Sequence, residues 1–230
     1  MKVLFRVRNG AGSAELRGDF PQSHTGLDAL ESFRAKAEDS GGPAVPAYRH
    51  SCHHGSCGTC GAVVNGLEAL MCLTRLSDLA APRSRVPGGP QLEPELTPDG
   101  ALVVVLEPLK GATLAAGIAA RPDKALAGFP PEHPYLMPSE RNPDRGTPAE
   151  VPAPLPPDPT GPGNGAPGRV RFEACIECGL CVSACPVRAP FLGPAALAAV
   201  NRERVKNPSR ELEMLEVAGR PEGVASCERH

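Results

Sequence analysis

From Arg49 to Cys72 the chain reads Arg-His-Ser-Cys-His-His-Gly-Ser-Cys-Gly-Thr-Cys-Gly-Ala-Val-Val-Asn-Gly-Leu-Glu-Ala-Leu-Met-Cys. Cys52, Cys57 and Cys60 stand in the spacing C-x4-C-x2-C, and Cys72 follows after a short apolar stretch. Asn65-Gly66 between Ala62-Val63-Val64 and Leu67–Met71 is a strong hairpin signal, because both residues accept the positive φ of a tight turn. Such a hairpin brings Cys72 back beside Cys60. Gly55, Gly58 and Gly61 lie between and beside the thiols, where a missing Cβ lets backbone N–H groups approach sulfur.

Three closely spaced thiolates and a returning fourth fit a plant-type 2Fe–2S centre, with Cys52, Cys57, Cys60 and Cys72 as ligands. Four thiolates and two sulfides leave such a centre anionic, so N–H donors and the nearby Arg49 and Arg75 are expected to favour its reduced form. In ordinary plant-type ferredoxins the last Cys lies much further along the chain. His53 and His54 suggest a Rieske or zinc site at first sight. A Rieske site needs two Cys–His pairs on separate loops, and zinc ribbons use paired C-x2-C motifs. Both histidines are expected to be exposed loop residues.

Cys175-Ile176-Glu177-Cys178-Gly179-Leu180-Cys181-Val182-Ser183-Ala184-Cys185-Pro186 is a second run, C-x2-C-x2-C-x3-C-P. In this bacterial ferredoxin pattern the fourth Cys ligates a different cluster from the first three. Cys175, Cys178 and Cys181 should therefore share one cluster and Cys185 another. Glu177 reads as a solvated charge. Cys227 stands alone near the end.

Nine cysteines admit a secreted disulfide scaffold, but eight fall in these two tight groups. The start, Met-Lys-Val-Leu-Phe-Arg-Val-Arg, carries no apolar signal-peptide core. Reduced, metal-bound thiolates in a cytoplasmic setting are expected. Net charge is −2, so nothing calls for nucleic acid or an anionic membrane surface. The longest mildly apolar run, Ala112–Ala120, is too short to cross a bilayer.

Val3, Phe5 and Val7 alternate with charged residues as a half-buried strand, and Ala14–Leu16 forms the return strand. Thr25 and Asp28 suggest a capping box opening a helix to about Ala37, with Leu27, Leu30 and Phe33 on its core face. Gly41-Gly42-Pro43 breaks the chain, and Leu102–Leu106 is an apolar, β-branched strand. Together these predict a β-grasp sheet with one helix across it and the Cys loop at its edge. Residues 76–100 are expected to form a surface excursion. The 25 Gly and 28 Pro imply much irregular structure, concentrated in a Pro-rich linker laid on a partner or neighbouring domain, or a disordered tether. Helices are expected from about Ala195 to Arg204 and over Glu211–Val217.

With both Cys runs in this order, the sequence resembles the iron–sulfur subunit of the succinate dehydrogenase/fumarate reductase family. The matching stretches are Gly26-Leu27-Asp28-Ala29-Leu30, Tyr48–Cys52, Gly55–Cys60, Asn65-Gly66, Leu70-Met71-Cys72, Glu107-Pro108-Leu109, Cys175–Pro186 and Gly193–Leu197. The resemblance implies an α+β protein: an N-terminal β-grasp plant-type 2Fe–2S ferredoxin domain over 1–110, a Pro-rich linker over 111–170, and a C-terminal α-helical bacterial-ferredoxin-like domain over 171–230. It further implies a 2Fe–2S cluster on Cys52, Cys57, Cys60 and Cys72. A 4Fe–4S cluster would rest on Cys175, Cys178 and Cys181, and a 3Fe–4S cluster on Cys185 and Cys227. Implied partners are an FAD-containing flavoprotein, membrane anchor subunits and quinone. The implied location is peripheral, at the cytoplasmic face of the inner (plasma) membrane. Catalytic acids and bases belong to the flavoprotein.

The sequence departs from the family twice. The family's last Cys motif supplies two more thiolates beyond the position of Cys227, so the C-terminal domain is expected to be incomplete here, as in a fragment. Val187-Arg188-Ala189-Pro190 follows Pro186, and Glu228 follows Cys227, where the family often has an aromatic residue and a His. These leave the quinone pocket and the direction of reaction open. A free-standing ferredoxin-like carrier, or a component of another respiratory or heterodisulfide-reductase-like complex, is the alternative.

Overall fold

The structure is a computed structural model that describes residues 1–9, 12–41, 43–85, 87–121, 126, 128–133, 175–187 and 190–227. It divides into two compact units, Met1–Lys124 with Ile176–Ala184, and Ala125–Cys175 with Cys185–His230. The expected Pro-rich linker falls largely outside the described residues.

The first unit is built on a sheet. Strand β1 (Lys2–Asn9) pairs antiparallel with β2 (Gly12–Asp19). Val3, Phe5 and Val7 of β1 enter the main core as their alternation predicts. Helix α1 (Gly26–Ser40) then begins at Thr25, whose hydroxyl accepts from the Asp28 N–H while the Asp28 carboxylate accepts from the Thr25 N–H, a complete capping box. The helix runs three residues past the expected end, until Gly41 adopts left-handed φ and caps it. Its Phe33 ring meets Phe5 and Phe20 edge-on, at centroid distances of 5.9 and 5.2 Å.

Strands β3 (Gly61–Val64) and β4 (Leu67–Leu70) form the expected hairpin. Asn65 and Gly66 both take positive φ, 48° and 79°, the signature of its two-residue turn. One helical turn, α2 (Leu76–Leu79), follows. Leu76 and Leu79 are buried in the main core, so the start of the expected surface excursion is core. The N–H groups of Leu76 and Ser77 donate to the carbonyls of His24 and Gln22, which fixes the turn beside the start of α1. The short strands β5 (Arg83–Ser84) and β6 (Gln91–Leu92) make a separate ladder.

Strand β7 (Leu102–Glu107) lies at the centre of the sheet, whose order is β2-β1-β7-β3-β4. It runs parallel to β1 and antiparallel to β3. The long crossover from β1 to β7 carries α1 and the Cys loop, as a β-grasp requires. Strands β8 (Thr113–Ala116) and β9 (Ala119–Arg121) form another hairpin. The short helix α3 (Leu180–Ala184) completes the unit.

The second unit is helical. Helix α4 (Pro194–Lys206) and helix α5 (Glu211–Gly219) are joined by a 3₁₀ turn, Pro208–Arg210, and a last 3₁₀ turn spans Val224–Cys227. Pro194 opens α4 where its missing N–H costs nothing. Phe129, Leu192, Ala196, Ala199, Val200, Met214 and Val217 form its core. Glu203 is fully buried there, with Lys206 at 2.8 Å and Arg210 at 3.4 Å. Removing both cations would leave a buried charge uncompensated. Among the described residues no helix is long and apolar enough to cross a membrane.

Candidate metal centre

Residues 43–60 form no helix or strand, so their shape is set by contacts at both ends. At the entry, the Tyr48 hydroxyl donates to Glu31 on α1 at 2.6 Å, and Ala47 accepts from the Ile118 N–H on the second hairpin. Arg49 donates to the Ala120 carbonyl at 2.9 Å, which engages its guanidinium with the hairpin. At the exit, Cys60 leads directly into β3, and the Met71 N–H donates to the Cys60 carbonyl at 3.1 Å. The two ends of the β3–β4 hairpin thus carry Cys60 and Cys72, both buried.

The four thiols of the first run meet in two neighbouring pairs. Cys52 lies against Cys57, and Cys72 against Cys60, with Cys52 close enough to act on Cys72 through its charge. The N–H groups of His54 and Cys57 and the Ser56 hydroxyl point at the Cys52 sulfur. Donation from His54, then from Ser56, brings that thiol down to about 5. Burial, reinforced by Cys60, pushes the Cys72 thiol up to about 12, although the Gly55 N–H points at its sulfur. Cys57 Sγ is 3.2 Å from the Thr59 hydroxyl.

Among the described residues no group of three or more His, Cys, Asp or Glu is placed to hold a single metal ion. Two thiol pairs ringed by N–H donors suit a two-iron core, which takes two thiolates on each iron and needs donors to its sulfurs. His53 and His54 are exposed, as expected. His54 bonds the Cys52 carbonyl and the Ser56 hydroxyl, and His53 bonds His50.

Part of the second Cys run packs against this loop. Gly58 has a φ of 71°, and a Cβ there would lie 2.7 Å from Cys178 Cβ and 2.9 Å from Cys178 Cα. Only glycine allows backbone at Gly58 to come so near Cys178. Cys178 is half-buried and Cys181 exposed in the first unit. Cys175, Cys185 and Cys227 belong to the second unit. Glu177 is half-buried with a φ of 55°.

Three side-chain roles at this site escaped the sequence reading. The Asn65 side chain donates to the Val103 carbonyl and accepts from the Val105 N–H at 2.6 Å. Glu68 projects from β4 with its side chain 4% exposed, salt-bridged to Arg85 at 2.8 Å. Ser183 is buried, accepts from the Lys110 N–H and donates to Glu68. A polar residue in an apolar hairpin was the available signal for Glu68. Nothing in the pattern indicated its partners.

Residues 14–116 match the family of 2Fe-2S iron-sulfur cluster binding domains, and residues 169–191 match 4Fe-4S binding domains. The fumarate reductase iron-sulfur subunit of Haemophilus influenzae is 30% identical over 210 residues, covering 87% of this chain and 70% of that protein. The succinate dehydrogenase iron-sulfur subunit of Coxiella burnetii is 28% identical over 212 residues, covering 87% of this chain and 71% of that protein. Against the Escherichia coli O6:H1 fumarate reductase iron-sulfur subunit, 28% identical over 159 residues, the chain spans about half of the relative's length, 52%. A chain of the Mycobacterium smegmatis Sdh1 complex in the apo form has a similar fold. Its TM-score is 0.53 at 19% identity, over 99% of this chain and 87% of that one.

Proposed function

The chain belongs to the family of iron–sulfur subunits of succinate dehydrogenase and fumarate reductase, and from that membership we propose that it relays electrons between a flavoprotein's FAD and quinone. In this reading Cys52, Cys57, Cys60 and Cys72 hold the 2Fe–2S cluster. Cys175, Cys178 and Cys181 hold the 4Fe–4S cluster, and Cys185 and Cys227 contribute to a 3Fe–4S cluster. Bound iron–sulfur clusters supply one-electron redox chemistry and need no proton from the protein. The chain's own residues set the conditions for it. N–H groups of His54, Cys57 and Gly55 aim at sulfur and stabilise negative charge there, while burial of Cys60 and Cys72 excludes water.

The observation that carries the reading is the contact between Gly58 and Cys178. Electron tunnelling weakens steeply with distance. A relay therefore needs backbone from one Cys run against backbone from the next, and the missing Cβ at Gly58 supports that approach. The flavoprotein and membrane anchor subunits are the partners of this reading, and attachment at the cytoplasmic face of the inner membrane runs through them. No general acid or base is assigned to this chain.

Anaerobic reconstitution of the full chain with iron and sulfide, followed by dithionite, tests the proposal. The expected product is coloured and gives a low-temperature electron paramagnetic resonance signal of a reduced 2Fe–2S centre. Cys57→Ser and Cys72→Ser should each remove or alter that signal. A chain that takes up zinc, or stays silent after reduction, contradicts the reading.

A further inference from the structure

We infer that Glu68 is a positioning residue that holds the Cys178–Cys181 segment against the 2Fe–2S loop. The inference rests on the 2Fe–2S reading above and adds how the distance to the next centre is fixed. Helix α3 has only five residues, far fewer than a helix needs to persist by itself. Its place must come from tertiary bonds. The Ser183 hydroxyl has one proton, which it donates to Glu68 Oε1 at 3.1 Å, and it accepts from the Lys110 N–H at 2.9 Å. Ser183 is 2% exposed, so water does not substitute for either partner.

The other carboxylate oxygen of Glu68 is held by Arg85 Nη1 at 2.8 Å, while Arg85 Nη2 donates to the Gly66 carbonyl at 2.9 Å in the hairpin turn. Lys110 Nζ lies 3.8 Å from Glu68 Oε1. The carboxylate therefore joins the β3–β4 hairpin, which carries Cys60 and Cys72 at its ends, to the helix that begins just before Cys181. Leu180 Cδ2 and the Cys178 carbonyl close the same contact at Gly61, 3.3 and 3.4 Å from where a Cβ would lie. An uncharged side chain at position 68 leaves Arg85 without its carboxylate. A missing hydroxyl at position 183 leaves the Lys110 N–H and Glu68 without their shared partner.

The chain contains two isoleucines, and they report on this geometry separately. Ile176 lies two residues before the held segment, its carbonyl 3.2 Å from where a Gly58 Cβ would lie. Ile118 is buried in the main core. In the reconstituted, dithionite-reduced full chain carrying Cys175→Ser and Cys181→Ser, so that no 4Fe–4S cluster forms beside Ile176, and with labelled isoleucine methyls, the paramagnetic centre on Cys52, Cys57, Cys60 and Cys72 broadens the Ile176 signal. Glu68→Gln and Ser183→Ala are expected to restore Ile176 intensity while leaving Ile118 and the visible spectrum of the cluster unchanged. Ser183→Thr, which keeps the hydroxyl, should retain the broadening. Unaltered Ile176 broadening in both Glu68→Gln and Ser183→Ala overturns the inference.

If the wild-type chain assembles no cluster, the functional reading fails, and the latch is still decided by amide exchange. The variants should speed exchange at Ser183 and Lys110 by about tenfold or more, the size expected for a lost buried bond to a charged group. Equal rates in wild type and variants overturn it.

Discussion

At Asn65 a side-chain amide takes the place of a peptide unit. Strand β3 ends at Val64, yet pairing with β7 continues, because the Asn65 backbone N–H donates to Val105 and its side chain bonds Val103 and Val105. The same residue takes the left-handed φ that the turn requires, a conformation Asn tolerates better than most. Asn65→Ala should lower stability by about 2–4 kcal/mol, from two lost hydrogen bonds and the cost of the turn. Urea unfolding measures this, and Asn65→Gly should recover only the turn's share. Gly58 is under a different constraint, since both its φ and its neighbour forbid a side chain. Gly58→Ala should cost about 1–2 kcal/mol from φ alone. It should also displace the Cys178 segment, seen as faster amide exchange over residues 176–184 while Ile118 stays protected.

Among the elements, α1 and α5 show two ways of fixing a helix. The first is capped at both ends by its own sequence, Thr25 with Asp28 and then Gly41. Thr25→Ala should lower stability by about 1 kcal/mol, measured by thermal unfolding. Helix α5 depends on charge. Arg210 donates to Glu213 at 2.6 Å and His133 lies 2.7 Å from it, and Arg210 first, then His133, hold the Glu213 carboxyl at about 2, below its ordinary 4.5. Arg220 also bonds His133 and Glu132. A depressed carboxyl contributes stability that is complete above about 4.5 and is lost as pH falls toward about 2. The helical unit should therefore weaken across that window. Glu213→Gln should flatten this part of the pH profile of thermal unfolding, and an unchanged profile would assign the acid sensitivity elsewhere.

Across the whole molecule, the sheet unit and the helical unit each have a core of their own. Cys60 and Cys72 of the first run lie at the ends of the hairpin that borders β7, so iron bound there is coupled to the sheet. Cys72 is buried beside Cys60, where burial opposes a free thiolate and a bound metal favours it. Iron binding should therefore stabilise the fold. Stripping iron with a chelator is expected to lower the sheet unit's Tm by roughly 5 °C or more, equivalent to a few kcal/mol in a chain of this size. Calorimetry of the loaded and stripped chain checks it.

Local chemistry was legible in the sequence where a short stretch carried all of its determinants. The Asn-Gly turn, the Thr25–Asp28 box and the buried β7 run each need only neighbours a few residues away, and each stands in the structure. Long-range pairings were not legible. That Asn65 completes a ladder with Val103 and Val105, that Leu76 and Leu79 turn inward, and that Ser183 bonds a carboxylate 115 residues earlier depend on surfaces that exist only after the sheet has formed. A buried polar group is stabilised by whichever partner the fold delivers, and the linear order of residues holds no record of that partner.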